Sequence, residues 1–391
     1  MRFSGGFEIC MTVPTEKYSL RWLTTGDAIF AAVLASIGAA RASVRLETYI
    51  FGDDQAGRGV LGALVAAAGR GCAVQVLIDA VGYQPLSDHF WDPLRAVGGE
   101  VRWFNRSLLQ RLPIRDHRKL VVIDDTIAFL GGFNFTEAYT GDGVTCGWRD
   151  IGLELRGEAV PLLRATFDEM FRRCETHVRL WKRFQRRQTS GWKEEVGGVS
   201  VLPTGPGSGQ SVFQRRLTAD LAHARHVQFA SPYFLPGVRL RRRLRHVVRR
   251  GGRVQIVVPG MSDVPVAQRA ARFLYAGLLR AGVEIYEYQP RMMHAKLYRI
   301  GDVLYFGSAN LDTRSLYINY EIMVRTRDPG AAGDAGHFFE DLLAHSRPVK
   351  WEEWRVSRSL WTRMREQWAY FLLARLDPYL SRHFVTGEWQ S

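Results

Sequence analysis

Apolar and polar residues alternate along several short segments of the chain, and stretches with helical spacing lie between these segments. Residues 43–51 and 226–234 alternate with period two, which predicts strands with one buried face. Residues 69–78 and 249–258 each contain glycine followed by a run rich in valine and isoleucine, which predicts the end of a helix and then a buried strand. Both pairs of segments follow the same order, so the chain is predicted to be an internal duplication. Strands that alternate with helices predict an α/β fold.

The duplication also indicates how the most basic segment of the chain packs. Residues 239–253 carry eight arginines, and four aliphatic residues recur between them at helical spacing: Leu240, Leu244, Val247 and Val248. Through the repeat, this helix corresponds to the apolar helix around residues 60–67. Its aliphatic stripe is therefore predicted to pack on the core and its arginines to face solvent. A dedicated patch for lipid or nucleic acid is the alternative interpretation.

The apolar runs of the chain are short. None reaches the ~18 residues that a membrane-spanning helix needs. The best candidate, residues 28–40, contains thirteen residues and stops at Arg41, which predicts a core helix. The first residues do not show the succession of basic, apolar and small residues that marks a secretion signal. The four cysteines lie far apart, which argues against a disulfide framework or a zinc ribbon and fits a reducing compartment.

Net charge is the strongest feature of the composition. The chain of 391 residues contains 53 Lys and Arg against 39 Asp and Glu, a formal charge of +14. Such a surface attracts polyanions, which means nucleic acid or an anionic membrane. Charge alone does not distinguish these two classes of partner.

Composition divides the chain into four parts. The first half is predicted to span residues 1–174 and the second half residues 211–345. Residues 175–210 are basic at first and then rich in glycine and proline, which is typical of a linker. Residues 346–391 fall outside the repeat and form a C-terminal segment rich in tryptophan and arginine.

Each half contains a His-x-Lys segment, at residues 117–119 and 294–296, followed on the next predicted strand by Asn134 or Asn310. In a strand, residues i and i+2 point to the same face, so each histidine lies beside its lysine. Such a set can hold a phosphate while an imidazole attacks it. Two sets brought together would supply a nucleophile and a general acid. A single His-x-Lys is usually an ordinary surface pair, but two copies inside a duplication favour the functional interpretation.

These segments resemble the signature of the phospholipase D superfamily, H-x-K-x4-D-x6-G-[G/S]-x-N, present twice. Within that superfamily, residues 45–49, the first motif and residues 310–321 resemble bacterial cardiolipin synthases, and the likeness covers about residues 20–380. The resemblance implies an internally duplicated α/β fold of the phospholipase D type. Two α/β sandwich halves would be related by pseudo-twofold symmetry, with the active site between them. It also implies a phosphohistidine intermediate, exchange of one alcohol for another at phosphorus, and no metal or cofactor.

The resemblance assigns roles residue by residue. We expect His117 to be the nucleophile and His294 the general acid, and Asp150 and Glu321 match the acids that orient the histidines, Asp150 being expected beside His117. The catalytic set would comprise His117, Lys119, Asp124, His294, Lys296 and Asp302, and the substrate-binding set Asn134, Asn310 and Ser308.

The second motif departs from the pattern. Gly301 stands where the motif has aspartate, and Asp302 follows one place late, so either Asp302 takes over that role or the role is missing. Gly132 replaces the serine of the first motif, which leaves Ser308 as the hydroxyl available to a phosphate.

The leading functional hypothesis is a phosphatidyl transferase that converts two phosphatidylglycerol molecules, or a similar donor and acceptor, into cardiolipin and glycerol. A lipid hydrolase or a nuclease of the same superfamily is the alternative, and a non-catalytic scaffold is disfavoured because both His/Lys/Asn sets are present. The expected partner is an anionic phospholipid membrane, with nucleic acid disfavoured but left open.

The expected location is the cytoplasmic face of the cell membrane, as a peripheral protein. Trp354, Trp361 and Trp368 recur every seven residues among arginines, which is typical of an interfacial amphipathic helix. A helix packed on the protein's own core is the alternative.

Overall fold

The first half of the chain forms a seven-stranded sheet in the computed structural model, which describes residues 18–82, 86–105, 114–174, 195–206 and 210–377. Its strands are β1 (Tyr18–Leu23), β2 (Ser43–Thr48), β3 (Ala73–Asp79), β4 (Glu100–Phe104), β5 (Leu120–Ile123), β6 (Ile127–Gly131) and β7 (Gly152–Gly157). They lie in the order β1-β7-β6-β5-β2-β3-β4.

The second half forms a nine-stranded sheet in the described part of the chain. Its strands are β8 (Glu195–Val196), β9 (Val199–Thr204), β10 (His226–Ala230), β11 (Arg253–Pro259), β12 (Glu284–Tyr288), β13 (Leu297–Ile300), β14 (Val303–Gly307), β15 (Glu321–Thr326) and β16 (Ser346–Pro348). They lie in the order β16-β12-β11-β10-β13-β14-β15-β9-β8.

The duplication predicted from the sequence is confirmed by the order of the strands. The central order β7-β6-β5-β2-β3-β4 of the first sheet is repeated as β15-β14-β13-β10-β11-β12 in the second. In each, the first three strands of the unit pair in parallel and the hairpin that follows the His-x-Lys segment pairs antiparallel. The protein is therefore an α/β fold built twice.

Helices connect and cover the strands. They are α1 (Gly26–Ala39), α2 (Gln55–Gly69), α3 (Asp92–Ala96), α4 (Val160–Arg173), α5 (Val212–His223), α6 (Val238–Arg249), α7 (Pro265–Leu279), α8 (Thr313–Tyr317), α9 (Pro329–Ala344), α10 (Trp351–Val356) and α11 (Leu360–Phe371). The predicted core helix at 28–40 is α1. The arginine-rich α6 buries Leu244 and Val247 and exposes most of its arginines, as its spacing predicts. Within the described residues, no helix combines the length and the hydropathy needed to span a bilayer.

One apolar cluster joins the two halves. It contains Leu120 and Leu153 from the first sheet together with Leu297 and Phe306 from the second. Trp22 of β1 also reaches across, because its ring lies edge-on to Phe306 with 4.9 Å between centroids. Burial of this shared surface fixes the orientation of one half relative to the other, on which the geometry of the site depends.

The structure corrects two boundaries of the predicted organisation. Residues 195–204, expected within the linker 175–210, form β8 and β9, and β9 pairs with β15 along six residues. The remainder of that linker lies mostly outside the described residues. Residues 346–348, expected in the C-terminal segment, pair with β12 as the edge strand β16. These short strands were missed because their partners are distant in the sequence.

Candidate active site

Each His-x-Lys segment lies in a loop that contacts the opposite half of the protein. The His117 N–H donates to the Tyr320 carbonyl over 3.0 Å, and the Tyr320 N–H donates to the Arg115 carbonyl over 2.8 Å. The same arrangement joins His294 to Arg149, whose carbonyl accepts the His294 N–H over 2.7 Å. These two bridges are related by the pseudo-twofold symmetry of the strands. His117 is thereby placed beside Glu321, which follows Tyr320, and His294 beside Asp150, which follows Arg149.

Each imidazole therefore contacts a carboxylate from the other half. Nδ1 of His117 lies 3.0 Å from both carboxylate oxygens of Glu321, and Nδ1 of His294 lies 3.1 Å from Oδ2 of Asp150. The expected pairing of Asp150 with His117 is wrong, because the backbone bridges bring Glu321 to His117 and Asp150 to His294. With Nδ1 directed at a carboxylate, Nε2 is the ring nitrogen left to face a substrate.

The two acids are accommodated differently. Ser308 donates its hydroxyl to Oε2 of Glu321 over 2.6 Å and accepts the Ile322 N–H, so it supports the acid rather than standing free for a phosphate as expected. Its counterpart Gly132 has no room for a side chain. A Cβ there would lie 2.7 Å and 2.8 Å from the two oxygens of Asp150. The shorter aspartate needs this close approach of the backbone, which explains the glycine in the first motif.

Both lysines are buried and point back at their own histidine loops. Lys119 donates to the His117 carbonyl and Lys296 to the His294 carbonyl, each over 2.8 Å. Nζ of Lys296 also lies 3.2 Å from Nε2 of His294. Burial lowers the pKa of Lys119 to about 7 and that of Lys296 to about 8. A bound anion between the lysines would offset this cost and favour their charged forms.

The other titratable groups of the site are shifted by the same burial. Burial and the neighbouring ammonium groups hold the pKa of His117 and of His294 well below the ordinary value, so both imidazoles are neutral in the unliganded site. Burial raises the pKa of Asp150 to about 6 and that of Glu321 to about 8. Neutral imidazoles beside cationic lysines suit nucleophilic attack on an anionic phosphodiester.

The two asparagines are buried in the same region but differ in their contacts. Asn134 donates to the Tyr139 hydroxyl over 2.8 Å and accepts the Ile50 N–H over 3.1 Å. Oδ1 of Asn310 has no hydrogen-bond partner among the described residues. Asn310 therefore has hydrogen-bonding capacity left for a ligand, whereas Asn134 is largely committed to the protein.

Asp124 and Asp302, expected in the catalytic set, do not lie with the histidines. Asp124 lies in the turn after β5, at the opposite end of that strand from His117, and accepts the N–H groups of residues 41–43 over 2.8–2.9 Å. Asp302 is exposed in the equivalent turn and lies 4.0 Å from Arg327. The Gly301 N–H donates to the His226 carbonyl, just as the Asp124 N–H donates to the Ser43 carbonyl. Gly301 therefore takes the backbone position of Asp124 but has no carboxylate to accept the neighbouring N–H groups.

From these positions we expect Asp124 to contribute to stability, and neither Asp124 nor Asp302 to contribute to the chemistry. Asp124→Ala is expected to lower the free energy of unfolding by about 1–2 kcal/mol, because three backbone donors lose their acceptor. Asp302→Ala is expected to change it by less than about 0.5 kcal/mol. Urea unfolding of both variants, with specific activity measured on the folded proteins, tests this. A large loss of activity with stability unchanged, in either variant, would return that aspartate to the catalytic set.

Sequence reasoning missed the aromatic residues around the histidines. The Tyr139 hydroxyl lies 3.4 Å from Nε2 of His294, and the Trp148 ring lies 5.4 Å from that imidazole. The Tyr49 ring packs edge-on against His117 at 4.9 Å. None of these residues belongs to the His-x-Lys motif. Tyr49 lies in residues 45–49, where the family resemblance was a signal, whereas Tyr139 and Trp148 lie outside the segments that carry it.

The first half also contains a buried ion pair that the second half lacks. Arg118 lies 3.0 Å from Glu47 and donates to the Thr166 hydroxyl over 2.7 Å. In the second half, Ala230 is equivalent to Glu47, because it pairs with Leu297 as Glu47 pairs with Leu120. Ala295 is equivalent to Arg118, so neither partner of the ion pair is present there. The pair fixes the start of β5, next to Lys119, by polar contacts, whereas the second half uses apolar packing.

The described residues contain no group of three or more His, Cys, Asp or Glu side chains arranged to hold a metal ion. Lys119 and Lys296 supply positive charge beside the two histidines.

Comparison with protein families finds one match in both halves. Residues 33–145 and 217–343 match the family described as cardiolipin synthase, PLD-like domain. Cardiolipin synthase 1 of Bacillus cereus is 31% identical over 377 residues, which cover 93% of this chain and 73% of the relative. Cardiolipin synthase B of Salmonella typhi is 33% identical over 312 residues, covering 78% and 76%.

Solved structures give the same fold at lower sequence identity. The crystal structure of phosphatidylserine synthase from Haemophilus influenzae superposes with a TM-score of 0.74 at 15% identity, covering 93% of this chain and 94% of that one. Polyphosphate kinase from Porphyromonas gingivalis has a TM-score of 0.56 at 14% identity, covering 86% and 49%. At such identities the likeness concerns the fold.

Proposed function

The chain belongs to the family of phospholipase D-like cardiolipin synthases, and from that membership we propose that it transfers a phosphatidyl group between alcohols. The donor is phosphatidylglycerol or a similar lipid, and the acceptor is the hydroxyl of a second phosphatidylglycerol, which yields cardiolipin and glycerol. The observation that carries the proposal is the pair of crossed His–carboxylate contacts, with two buried lysines beside them.

In the first step, Nε2 of His117 attacks the phosphorus of the donor. A P–N bond forms and the P–O bond to the departing glycerol breaks. His294, which takes up a proton when the anionic phosphodiester binds beside it, donates that Nε2 proton to the departing oxygen. Glu321 accepts the Nδ1–H of His117 and stabilises the positive charge that develops on the imidazole. The product of this step is a phosphatidyl-histidine.

In the second step, the proton movements are reversed. His294, now neutral, takes the proton of the acceptor hydroxyl, whose oxygen attacks the phosphorus, and the P–N bond breaks. Asp150 holds the His294 ring through Nδ1 in both steps. Lys119, Lys296 and Asn310 bind the non-bridging oxygens, where negative charge accumulates.

The identity of the product depends on what releases the phosphohistidine. Bulk water is present at about 55 M, whereas a positioned hydroxyl can act at an effective concentration of ~10⁵ M. A site fed from a lipid surface positions a second headgroup and limits access of water. Transfer is therefore favoured over hydrolysis.

Incubation of the protein with phosphatidylglycerol vesicles is expected to give mainly cardiolipin and free glycerol, with phosphatidic acid as a minor product. Mass spectrometry of the extracted lipids measures the ratio. A spectrum dominated by phosphatidic acid would make the protein a hydrolase. Cleavage of DNA without any lipid turnover would assign it to the nucleases of the superfamily.

We further propose that the protein acts as a peripheral protein at an anionic membrane, on the cytoplasmic face of the cell membrane. The net charge of +14 supports attraction to anionic headgroups. Nucleic acid would be attracted by the same charge, and the family membership favours the lipid.

A further inference from the structure

An exposed apolar surface lies along helix α11 and the helical turn that follows it. Trp361 and Trp368 are 61% and 62% exposed, unusually high values for tryptophan. They belong to a set that we name the α11 face, which comprises Leu360, Trp361, Met364, Trp368, Phe371 and Leu372. Contiguous apolar surface of this kind marks an interaction site.

The predicted single amphipathic helix with three equivalent tryptophans is corrected by the structure. Ser359 caps the start of α11 by accepting the Thr362 N–H, which separates this helix from α10. Trp354, on α10, is half-buried against Tyr275, with 4.9 Å between ring centroids. Of the three tryptophans, only Trp361 and Trp368 therefore belong to the exposed surface.

The opposite side of α11 is firmly packed, so the helix presents its face in a fixed orientation. Ala369 is buried against α7, and the Tyr370 ring stacks on Phe273 at 4.9 Å. Glu366 is buried and forms an ion pair with Arg358. Since Glu366 is the one carboxylate of α11, the exposed side of the helix carries no negative charge.

A groove of about 530 Å³ runs between α7 and the α11 face. Arg269 and Arg365 line it beside the two tryptophans, and Arg365 lies 5.3 Å from the centre of the Trp361 ring. Neither arginine has a carboxylate partner among the described residues. Tryptophan with unpaired arginine combines an apolar body with positive charge, which matches the headgroup region of an anionic bilayer.

Two chain segments next to the α11 face contact the region of the candidate active site. Tyr233, whose ring lies 6.4 Å from that of His294, donates its hydroxyl to Asp263 over 2.8 Å. Asp263 lies in the loop before α7, where Met261 and Val264 are exposed. The second point of contact is Arg314, on the segment between Asn310 and Glu321.

Arg314 donates to Asp377, the last described residue after α11, over 2.6 Å and 2.7 Å. The groove begins close to that loop, because Val266 at the start of α7 lines it. The Arg314–Asp377 ion pair joins the chain after α11 to the segment that carries Asn310 and Glu321.

We propose that the α11 face is the surface by which the protein docks on an anionic phospholipid bilayer, with Trp361 and Trp368 inserted at the headgroup level and Arg269 and Arg365 contacting lipid phosphates. The proposal rests on the lipid function proposed above and names the surface that presents membrane lipid to the site. Turnover of lipid in vesicles should therefore require the α11 face, whereas turnover of dissolved lipid should not.

The test uses the full chain and the double variant Trp361→Ser/Trp368→Ser, with Trp361→Phe/Trp368→Phe as the conservative match and Val97→Ser as a control at an exposed apolar residue of the first half. Cosedimentation is measured with vesicles of phosphatidylglycerol and phosphatidylcholine, and with phosphatidylcholine alone. Turnover is measured on those vesicles and on a short-chain phosphatidylglycerol below its critical micelle concentration.

The serine variant is expected to bind the anionic vesicles about 10-fold or more weakly, because it lacks the two rings that would be buried in the bilayer. Its turnover of vesicle lipid should fall in proportion. Its turnover of dissolved lipid should match that of the wild type. The phenylalanine variant and Val97→Ser should bind like the wild type, and binding should weaken with salt.

Undiminished vesicle binding by the serine variant would overturn the proposal. So would a wild-type dimer, measured without lipid, that the serine substitutions convert to a monomer, because the face would then be covered by a second copy. If the wild type turns over neither form of lipid, the proposed function fails while the binding measurement still decides the docking surface.

Discussion

Replacement of His117 by alanine is expected to lower the rate of phosphatidyl transfer at least about 10³-fold, and His294→Ala by a similar factor. The two histidines act in one step, so the double variant should be little worse than either single one. A donor with a good leaving group, such as a nitrophenyl phosphodiester, needs no general acid. With such a donor, His294→Ala should accumulate a covalent adduct on His117, whereas His117→Ala should form none.

Intact-protein mass spectrometry followed by peptide mapping locates the adduct. His89→Ala is the control, since that imidazole is exposed on the first half and contacts Asp92 rather than either crossed pair. An adduct on His294 in the His117→Ala protein would reverse the roles of the two histidines. Ordinary rates in either single variant would contradict a histidine mechanism altogether.

The crossed pairing of acids and histidines predicts a second large effect, with a distinctive pattern. Asp150→Asn and Glu321→Gln should each lower the rate about 10²–10⁴-fold, as expected when an imidazole loses the carboxylate that orients it. Because Asp150 contacts the proposed acid His294, the activated donor should largely restore adduct formation in Asp150→Asn. Because Glu321 contacts the proposed nucleophile His117, the activated donor should not restore Glu321→Gln.

The two acid variants should also differ in their pH dependence. Burial raises the pKa of Glu321 to about 8, so its carboxylate becomes ionised as the pH rises through that value. The loss caused by Glu321→Gln, relative to wild type at the same pH, should therefore be larger at pH 9 than at pH 7. The pKa of Asp150, raised to about 6, lies below this range, so the relative loss from Asp150→Asn should stay nearly constant.

Asp124→Asn provides the matched control for both acids, because it changes a carboxylate of the same half that contacts backbone N–H groups rather than a histidine. Its rate on the folded protein should be unchanged with either donor. Rescue of Glu321→Gln by the activated donor, with none for Asp150→Asn, would mean that His294 is the nucleophile. Equal rescue of both would contradict the separate roles.

Much of the fold and the centre of the site could be predicted from the sequence because both are recorded locally. Period-two alternation and glycine-terminated helices mark the strands and helices of each half, and a repeated order of elements reveals the duplication. The His-x-Lys spacing alone places each imidazole and its ammonium group on one side of a short segment, and Lys296 does lie 3.2 Å from Nε2 of His294. These features depend on neighbours within about ten residues.

The partners of these residues were decided only by the tertiary structure. Glu321 is 204 positions from His117, and Asp150 is 144 positions from His294, so no local pattern shows which acid meets which histidine. The crossing follows from the burial of one apolar core between the halves, which fixes how their loops meet. Ser308 meets Glu321 because β14 pairs with β15 within the second half. Packing on α7 decides the tryptophans: Trp354 is half-buried against Tyr275, whereas Trp361 and Trp368 are exposed at the same spacing.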